Sequence, residues 1–170
     1  FDPEKLKWVN GMWLRNMDLD SYEKLVTPYI DEAVKGNFNR RQIAAILQQR
    51  AQTLAEIPEM LTFFDNFPSY SNELFINKKM KTDPTIALKS LQASYEALKN
   101  QEDWSEEALH ATLLALPTKL EMKNGQVLFP LRLAITGMQF TPGGAIEISS
   151  ILGKEETLRR LELSIKQLEQ

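Results

Sequence analysis

No cysteine occurs anywhere in the 170-residue chain. That excludes a disulfide framework, thiolate metal sites and a cysteine nucleophile, and it fits a reducing, cytoplasmic setting. Histidine is nearly absent: His110 stands alone, and one imidazole makes neither a catalytic triad nor a metal site. Long apolar runs are missing too, so no segment is a candidate membrane span, and the N-terminus shows no signal-peptide pattern. The glycine-rich phosphate loops GxxxxGK[ST] and GxGxxG do not occur. Glu106–Glu107 and Glu155–Glu156 fall in the first turns of predicted helices, where they suit the helix dipole rather than acid–base catalysis. No catalytic residue, metal ligand or cofactor is expected of this chain. Its first residue is Phe, not Met, which reads as a piece of a longer protein.

A basic balance is also lacking, the formal net charge being −3. That speaks against an indiscriminate nucleic-acid binder, and neither DNA nor a membrane is expected as a partner. The distribution is more informative than the sum. Between Glu32 and Glu56 there is no acid, but there are Lys35, Arg40, Arg41 and Arg50. Lys78, Lys79 and Lys81 form a second cluster, and from Met122 to Ile146 the charges are Lys123 and Arg132 alone. Local basic patches on an acidic body suit a specific phosphate-bearing partner.

Nearly every periodic segment is helical. Asp2-Pro3 predicts a helix to about Asn16. Asp20-x-x-Glu23 predicts the start of the next, kinked or broken near Thr27 by Pro28 and ended by Gly36. Asn39 caps a helix predicted to run to about Ala55, before a short one from Pro58 to Asp65. Asn66 to Tyr70 reads as a linker. Asp83-Pro84 and Ser105 open two more helices, the second ended by Pro117. Asn124-Gly125 reads as a turn, Pro130 to Thr136 as a helix closed by Gly137, and Ala145–Leu152 and Lys154–Leu168 as the last two, split by Gly153. No stretch alternates well enough for a strand. The fold class is all-α, in two small helical domains spanning 1–68 and 69–170.

Two arginines sit in apolar company. On a helix turning about 100° per residue, Arg50 falls about 20° from Ile43 and amid Ile46, Leu47 and Leu54. Arg132 stands between Leu131 and Leu133, with no acid within ten residues on either side. A guanidinium so placed needs a partner: an internal acid, or an acceptor from outside. Its planar fork matches a base edge or a phosphate, and single-stranded RNA offers both. Thr141-Pro142-Gly143-Gly144 precedes a helix whose free N–H groups could face an anion, although a plain turn would look the same. Trp8, Met12 and Trp13 share one helix and read as core.

Four segments carry a family likeness. FDPEKLKWVNGMWLR (Phe1–Arg15) resembles the FDxxKLxWxN opening of the C-terminal half of bacterial glutamyl-tRNA synthetases. RAQTLAEIP (Arg50–Pro58) resembles that family's RxxTLxEΦP, where Φ is apolar. KNGQVLFPLRLAITG (Lys123–Gly137) resembles KxGxxxxPLRxALTG, and TPGGAIEISSILGKEETLRRLE (Thr141–Glu162) resembles PGxxEIxxLLGKExxLxRLE. The resemblance implies the all-helical cage that binds the anticodon of tRNA(Glu). By that likeness Arg50, Arg132, Thr141, Pro142 and Gly144 line the anticodon pocket, and Lys5, Lys7 and Trp8 lie along the tRNA stem. The parent would be a monomeric class I ligase joining glutamate to tRNA with ATP and Mg²⁺. Its catalytic half, with HIGH-like and KxSKR-like signatures, is not in this sequence, so the chain alone would be non-catalytic. Two other readings remain open: the related cage of class I lysyl-tRNA synthetase, and a helical protein-interaction module with both arginines in internal ion pairs.

Overall fold

A computed structural model describes residues 2–170. Among the described residues the secondary structure is helical, apart from one isolated antiparallel bridge, Asn77 to Thr82. The chain forms two compact units, Phe1–Asn66 with Phe140–Gly143, and Phe67–Gln139 with Gly144–Gln170. The sequence division at 68/69 kept 140–143 with the C-terminal part. The four-residue loop instead packs with the first unit, where a Cβ on Gly143 would stand 3.0 Å from Ile46.

In the first unit, α1 (Pro3–Arg15) is capped by the Asp2 carboxylate and α2 (Leu19–Ala33) by that of Asp18. The predicted box at Asp20 lies two residues too late, because Asp18 accepts the Ser21 N–H at 3.0 Å. Pro28 neither breaks α2 nor stops it at Thr27. It lacks one N–H, but Tyr22, Val26 and Ile30 on both sides of it are fully buried, and that packing outweighs one lost bond. The helix ends at Ala33 rather than Gly36. Next, Lys35 and Gly36 each donate a backbone N–H to Asp65, at 2.6 and 2.9 Å.

Asn39 caps α3 (Arg40–Gln48), which stops well short of Ala55. The Glu56 carboxylate accepts the Gln52 N–H at 2.7 Å and the Thr53 hydroxyl at 3.3 Å, fixing that segment as turns. Two short helices, α4 (Ile57–Met60) and α5 (Thr62–Asp65), complete the unit. Phe63 and Phe64 are buried in its core with tilted rings 4.3 Å apart, and the half-buried Phe38 ring lies 5.5 Å from that of Phe64.

The second unit is built around α9 (Asn124–Thr136). This helix is apolar on most sides and buries Val127, Phe129, Leu131, Leu133, Ala134 and Ile135, the pattern of a helix surrounded by others. Against it pack α6 (Pro84–Leu98), α8 (Leu116–Leu120), α10 (Ala145–Leu152) and α11 (Lys154–Glu169), while α7 (Glu106–Leu114) leads into α8. A 3₁₀ turn, Asn72–Phe75, opens the unit. Asn124-Gly125 is not a turn before a helix but the first turn of α9. The Gln126 side chain accepts the Lys123 N–H at 2.8 Å, and Gly125 is small because Met80 Sδ would lie 2.8 Å from a Cβ there. Gly137 closes α9 in the left-handed region at φ 66°.

Candidate nucleic-acid interface

Arg50 does not lie on the buried stripe of α3. It follows the Gln49 cap and is exposed. The polar residue on the stripe is Gln48, whose Nε2 donates to the Leu14 and Met17 carbonyls at 3.2 and 2.8 Å and so ties α3 to the end of α1. The Arg50 and Ala51 N–H groups both turn back onto the Leu47 carbonyl, at 2.9 and 2.8 Å. That turn aims the arginine side chain away from the core. Among the described residues no carboxylate lies within ion-pair distance of it.

The neighbouring cations are occupied. Arg40 Nε meets Asp31 at 2.9 Å, and Arg41 Nη1 meets Asp20 at 2.6 Å and Glu23 at 3.0 Å. These two acids hold the Arg41 pKa above its ordinary value. The acid-free run in the sequence is thus largely neutralised by α2, and Arg50 is left facing outward.

Arg50 lines a cavity of about 230 Å³ with Met60, Phe140, Thr141 and Pro142. Thr141 and Pro142 are buried, and the Thr141 hydroxyl donates to the Gly143 carbonyl at 2.6 Å, locking the loop. Phe140, at 79% exposed, stands at the cavity as a bare aromatic face. The likeness-based assignment did not include it. Its signal in the sequence was the position directly before the Thr-Pro pair.

Arg132 is half-buried, on the face of α9 that reaches solvent. Its Nη2 donates to the Gln139 carbonyl at 2.9 Å, and its guanidinium lies 5.8 Å from the Phe129 ring centroid. Thr136 makes the turn that carries Gln139: its hydroxyl donates to the Arg132 carbonyl and accepts the Met138 N–H, at 2.8 and 3.1 Å. Arg132 lines a separate cavity of about 380 Å³ in the second unit, with Met80, Leu128, Phe129, Gly144 and Glu147 among its walls. The predicted N–H cradle ahead of α10 is already used at its first position, because the Gly144 N–H donates to Glu147 at 2.9 Å. Thr141 and Pro142 therefore accompany Arg50, and Gly144 accompanies Arg132.

Lys5, Lys7 and Trp8 are all exposed on α1, with Lys7 Nζ 3.7 Å from Glu56. Trp8, Met12 and Trp13 are not core: they are 55%, 39% and 68% exposed. His110 is exposed, no group of residues among those described could hold a metal ion, and no helix is long and apolar enough to cross a membrane. Lys78, Lys79 and Lys81 are exposed. Lys81 and Lys123 lie close enough that the Lys123 pKa is pushed down.

The sequence model of a family described as anticodon binding domain matches residues 21–165. A glutamate–tRNA ligase from Clostridium tetani is 44% identical over 99% of the chain, and one from the Hall strain of Clostridium botulinum is 45% identical over 99%. The chain spans about a third of the length of these relatives, 34% and 35%. A solved glutamate tRNA ligase from Elizabethkingia meningosepticum superposes with TM-score 0.79 at 25% identity, over 99% of this chain and 33% of that one.

Proposed function

The chain belongs to the anticodon binding domain family, and from that membership we propose that it reads the anticodon of tRNA(Glu) for a longer, cytoplasmic glutamate–tRNA ligase. The clostridial relatives carry that name, whereas none of those described is a lysine ligase. The catalytic steps, with ATP and Mg²⁺, belong to parts of the longer protein outside this sequence. The work of this chain is selection of the tRNA.

The observation that carries the reading is the Arg50 cleft. A cation with no acid beside it, a bare phenyl ring and a locked Thr-Pro loop meet in one small concavity. Single-stranded RNA is read by splaying a base onto an aromatic or guanidinium plane and hydrogen-bonding its edge. Phe140 supplies the plane, Arg50 the paired donors, and Pro142 a dry wall. Arg132 and Gly144, on their own cleft, suit a second base. The internal-salt-bridge alternative fails at Arg50, which no acid engages among the described residues. Lys5, Lys7, Lys78, Lys79 and Lys81 are exposed and suit the phosphate backbone, which contributes affinity rather than sequence choice.

The test is fluorescence anisotropy of wild type and Arg50→Gln with two stem-loops: the glutamate anticodon arm and a copy whose third anticodon base is changed from C to G. Wild type is expected to prefer the C-bearing loop, and the variant to lose about 1–3 kcal/mol of that preference. Equal discrimination by both proteins would remove Arg50 as a reader. Absence of binding by the full-length ligase would sink the anticodon reading itself.

A further inference from the structure

Arg50 lies beyond the end of α3, in an irregular stretch that runs to the start of α4. A side chain that reads a base has to be held to within about 0.5 Å, and a loop holds it less well than a helix does. The backbone around Arg50 is nonetheless pinned. The Arg50 and Ala51 N–H groups end on the Leu47 carbonyl, and Ala51 is fully buried. Gln52 is held on both sides of its Cα: its N–H donates to Glu56 Oε1 at 2.7 Å, and its carbonyl accepts the Asn10 side-chain amide. It also lies close against α1, where a Cβ on Gly11 would stand 3.4 Å from the Gln52 Cα.

Glu56 supplies one of those bonds from an unusual place. It is the N-cap of α4, the position where a side chain ordinarily accepts an N–H of its own helix. The Glu56 side chain makes no such bond. Both of its oxygens reach back along the chain instead, Oε1 to the Gln52 N–H and Oε2 to the Thr53 hydroxyl at 3.3 Å. Oε2 also lies 3.7 Å from Lys7 Nζ, a partly exposed pair that contributes little. Downstream the same residue starts α4, whose last residue, Met60, is a wall of the Arg50 cavity. Glu56 therefore stands between two walls of that cavity, Arg50 and Met60, and its carboxylate ties down the chain that joins them.

We propose that Glu56 is a positioning residue for Arg50: by holding Gln52 it fixes where the Arg50 guanidinium meets a base, and so how sharply that base is chosen. Asn10, on the same Gln52, is the second anchor. This role rests on Arg50 reading a base, and Glu56 itself touches no RNA.

The test is a double-mutant cycle in the full-length ligase, read by anisotropy with the C-bearing anticodon stem-loop and its C-to-G copy. Glu56→Ala is expected to cut the preference for C about tenfold, within the worth of one base contact. Glu56→Gln, which keeps an acceptor for the Gln52 N–H but no charge for Lys7, is expected to retain the preference. Adding Glu56→Ala to Arg50→Gln should change the preference no further, because the one acts through the other. Full preference in Glu56→Ala, a loss in Glu56→Gln as large as in Glu56→Ala, or an equal further loss in the Arg50→Gln background would each overturn the proposal. Should Glu56→Ala not fold, Asn10→Ala takes its place in the cycle, with the same outcomes deciding. Trypsin cleavage after Arg50 reads the positioning without RNA: it should be severalfold faster in Glu56→Ala and at the wild-type rate in Glu56→Gln. Unchanged cleavage in Glu56→Ala would overturn the positioning alone. Faster cleavage, beside an Arg50→Gln ligase that keeps the wild-type preference, would sink Arg50 as a reader and leave the anchoring of its turn standing.

Discussion

The guanidinium of Arg160 lies over the ring of Phe67, 5.1 Å from its centroid, and its Nη1 donates to the Ile135 carbonyl at 2.9 Å. Arg160 is 1% exposed, the largest fully buried side chain among the described residues. Burial holds its pKa down, with Glu156, 3.6 Å away, opposing that shift. It clamps the residue that opens the second unit to the end of α9. Removing it leaves a cavity, an unsatisfied carbonyl and a bare aromatic face. Arg160→Ala is expected to cost about 3 kcal/mol in urea unfolding, the range for breaking a buried charged contact. A loss below about 1 kcal/mol would show the contact to be incidental.

Phe140 offers a ring without tertiary support, so its removal is expected to leave folding intact. Phe140→Ala should weaken stem-loop binding by about 1–3 kcal/mol, the worth of one stacked base, and Phe140→Tyr should restore it. Unchanged affinity in the alanine variant would assign the ring no part in binding.

Gly137 and Gly153 separate strain from clash. Both have positive φ, 66° and 86°. A Cβ at Gly137 would meet the Pro68 carbonyl oxygen at 2.6 Å, whereas one at Gly153 meets nothing within 4 Å. Gly153, at ψ 163°, is in the positive-φ extended region that is essentially glycine-only, so Gly153→Ala is expected to lose backbone strain of about 1–3 kcal/mol and nothing from packing. Gly137, at ψ 12°, is in the left-handed helical region, and Gly137→Ala should lose about 1–2 kcal/mol of strain plus the cost of the close contact. A loss at Gly137 of no more than about 1 kcal/mol would show that the Pro68 carbonyl yields without cost.

The N-cap of α2 should make stability depend on pH. The Ser21 backbone N–H, then its hydroxyl, hold the Asp18 carboxyl below its ordinary 3.8. A group whose folded pKa is depressed stabilises the protein above the ordinary value and loses that contribution as pH falls through the folded one. The melting temperature should therefore drop below about pH 3.8. Asp18→Asn, which still accepts the Ser21 N–H but does not titrate, should flatten that drop. Identical profiles would assign the acid sensitivity elsewhere, with Asp103, held down by the Ser105 N–H, the next candidate.

Local chemistry was legible where a boundary rests on one residue. Asp2, Asn39, Asp83 and Ser105 each cap the helix that the sequence assigned to them, and Gly137 and Gly153 end helices as expected. Misreadings came where a distant residue decided. Apolar spacing continued α3 through Leu54, but Glu56 claims the Gln52 N–H and turns the chain, which moves Arg50 from a predicted stripe to the surface. Arg160 escaped notice because Leu158, Leu161, Ile165 and Leu168 mark the apolar stripe of α11 and, at about 100° per residue, Arg160 falls about 100° from Leu161, to one side of it. Its partners Phe67 and Ile135 are far away along the chain, so periodicity neither placed the arginine inward nor said what satisfies it.

By itself the sequence determined the all-helical class, most helix starts and the family likeness, because caps, turns and motifs act over a few residues. Only the tertiary structure decided which arginine is buried, that Thr141 and Pro142 stand with Arg50 while Gly144 stands with Arg132, and that α1 leaves two tryptophans bare. Each of those depends on which surfaces meet, and helical periodicity specifies that a face is apolar without specifying what covers it.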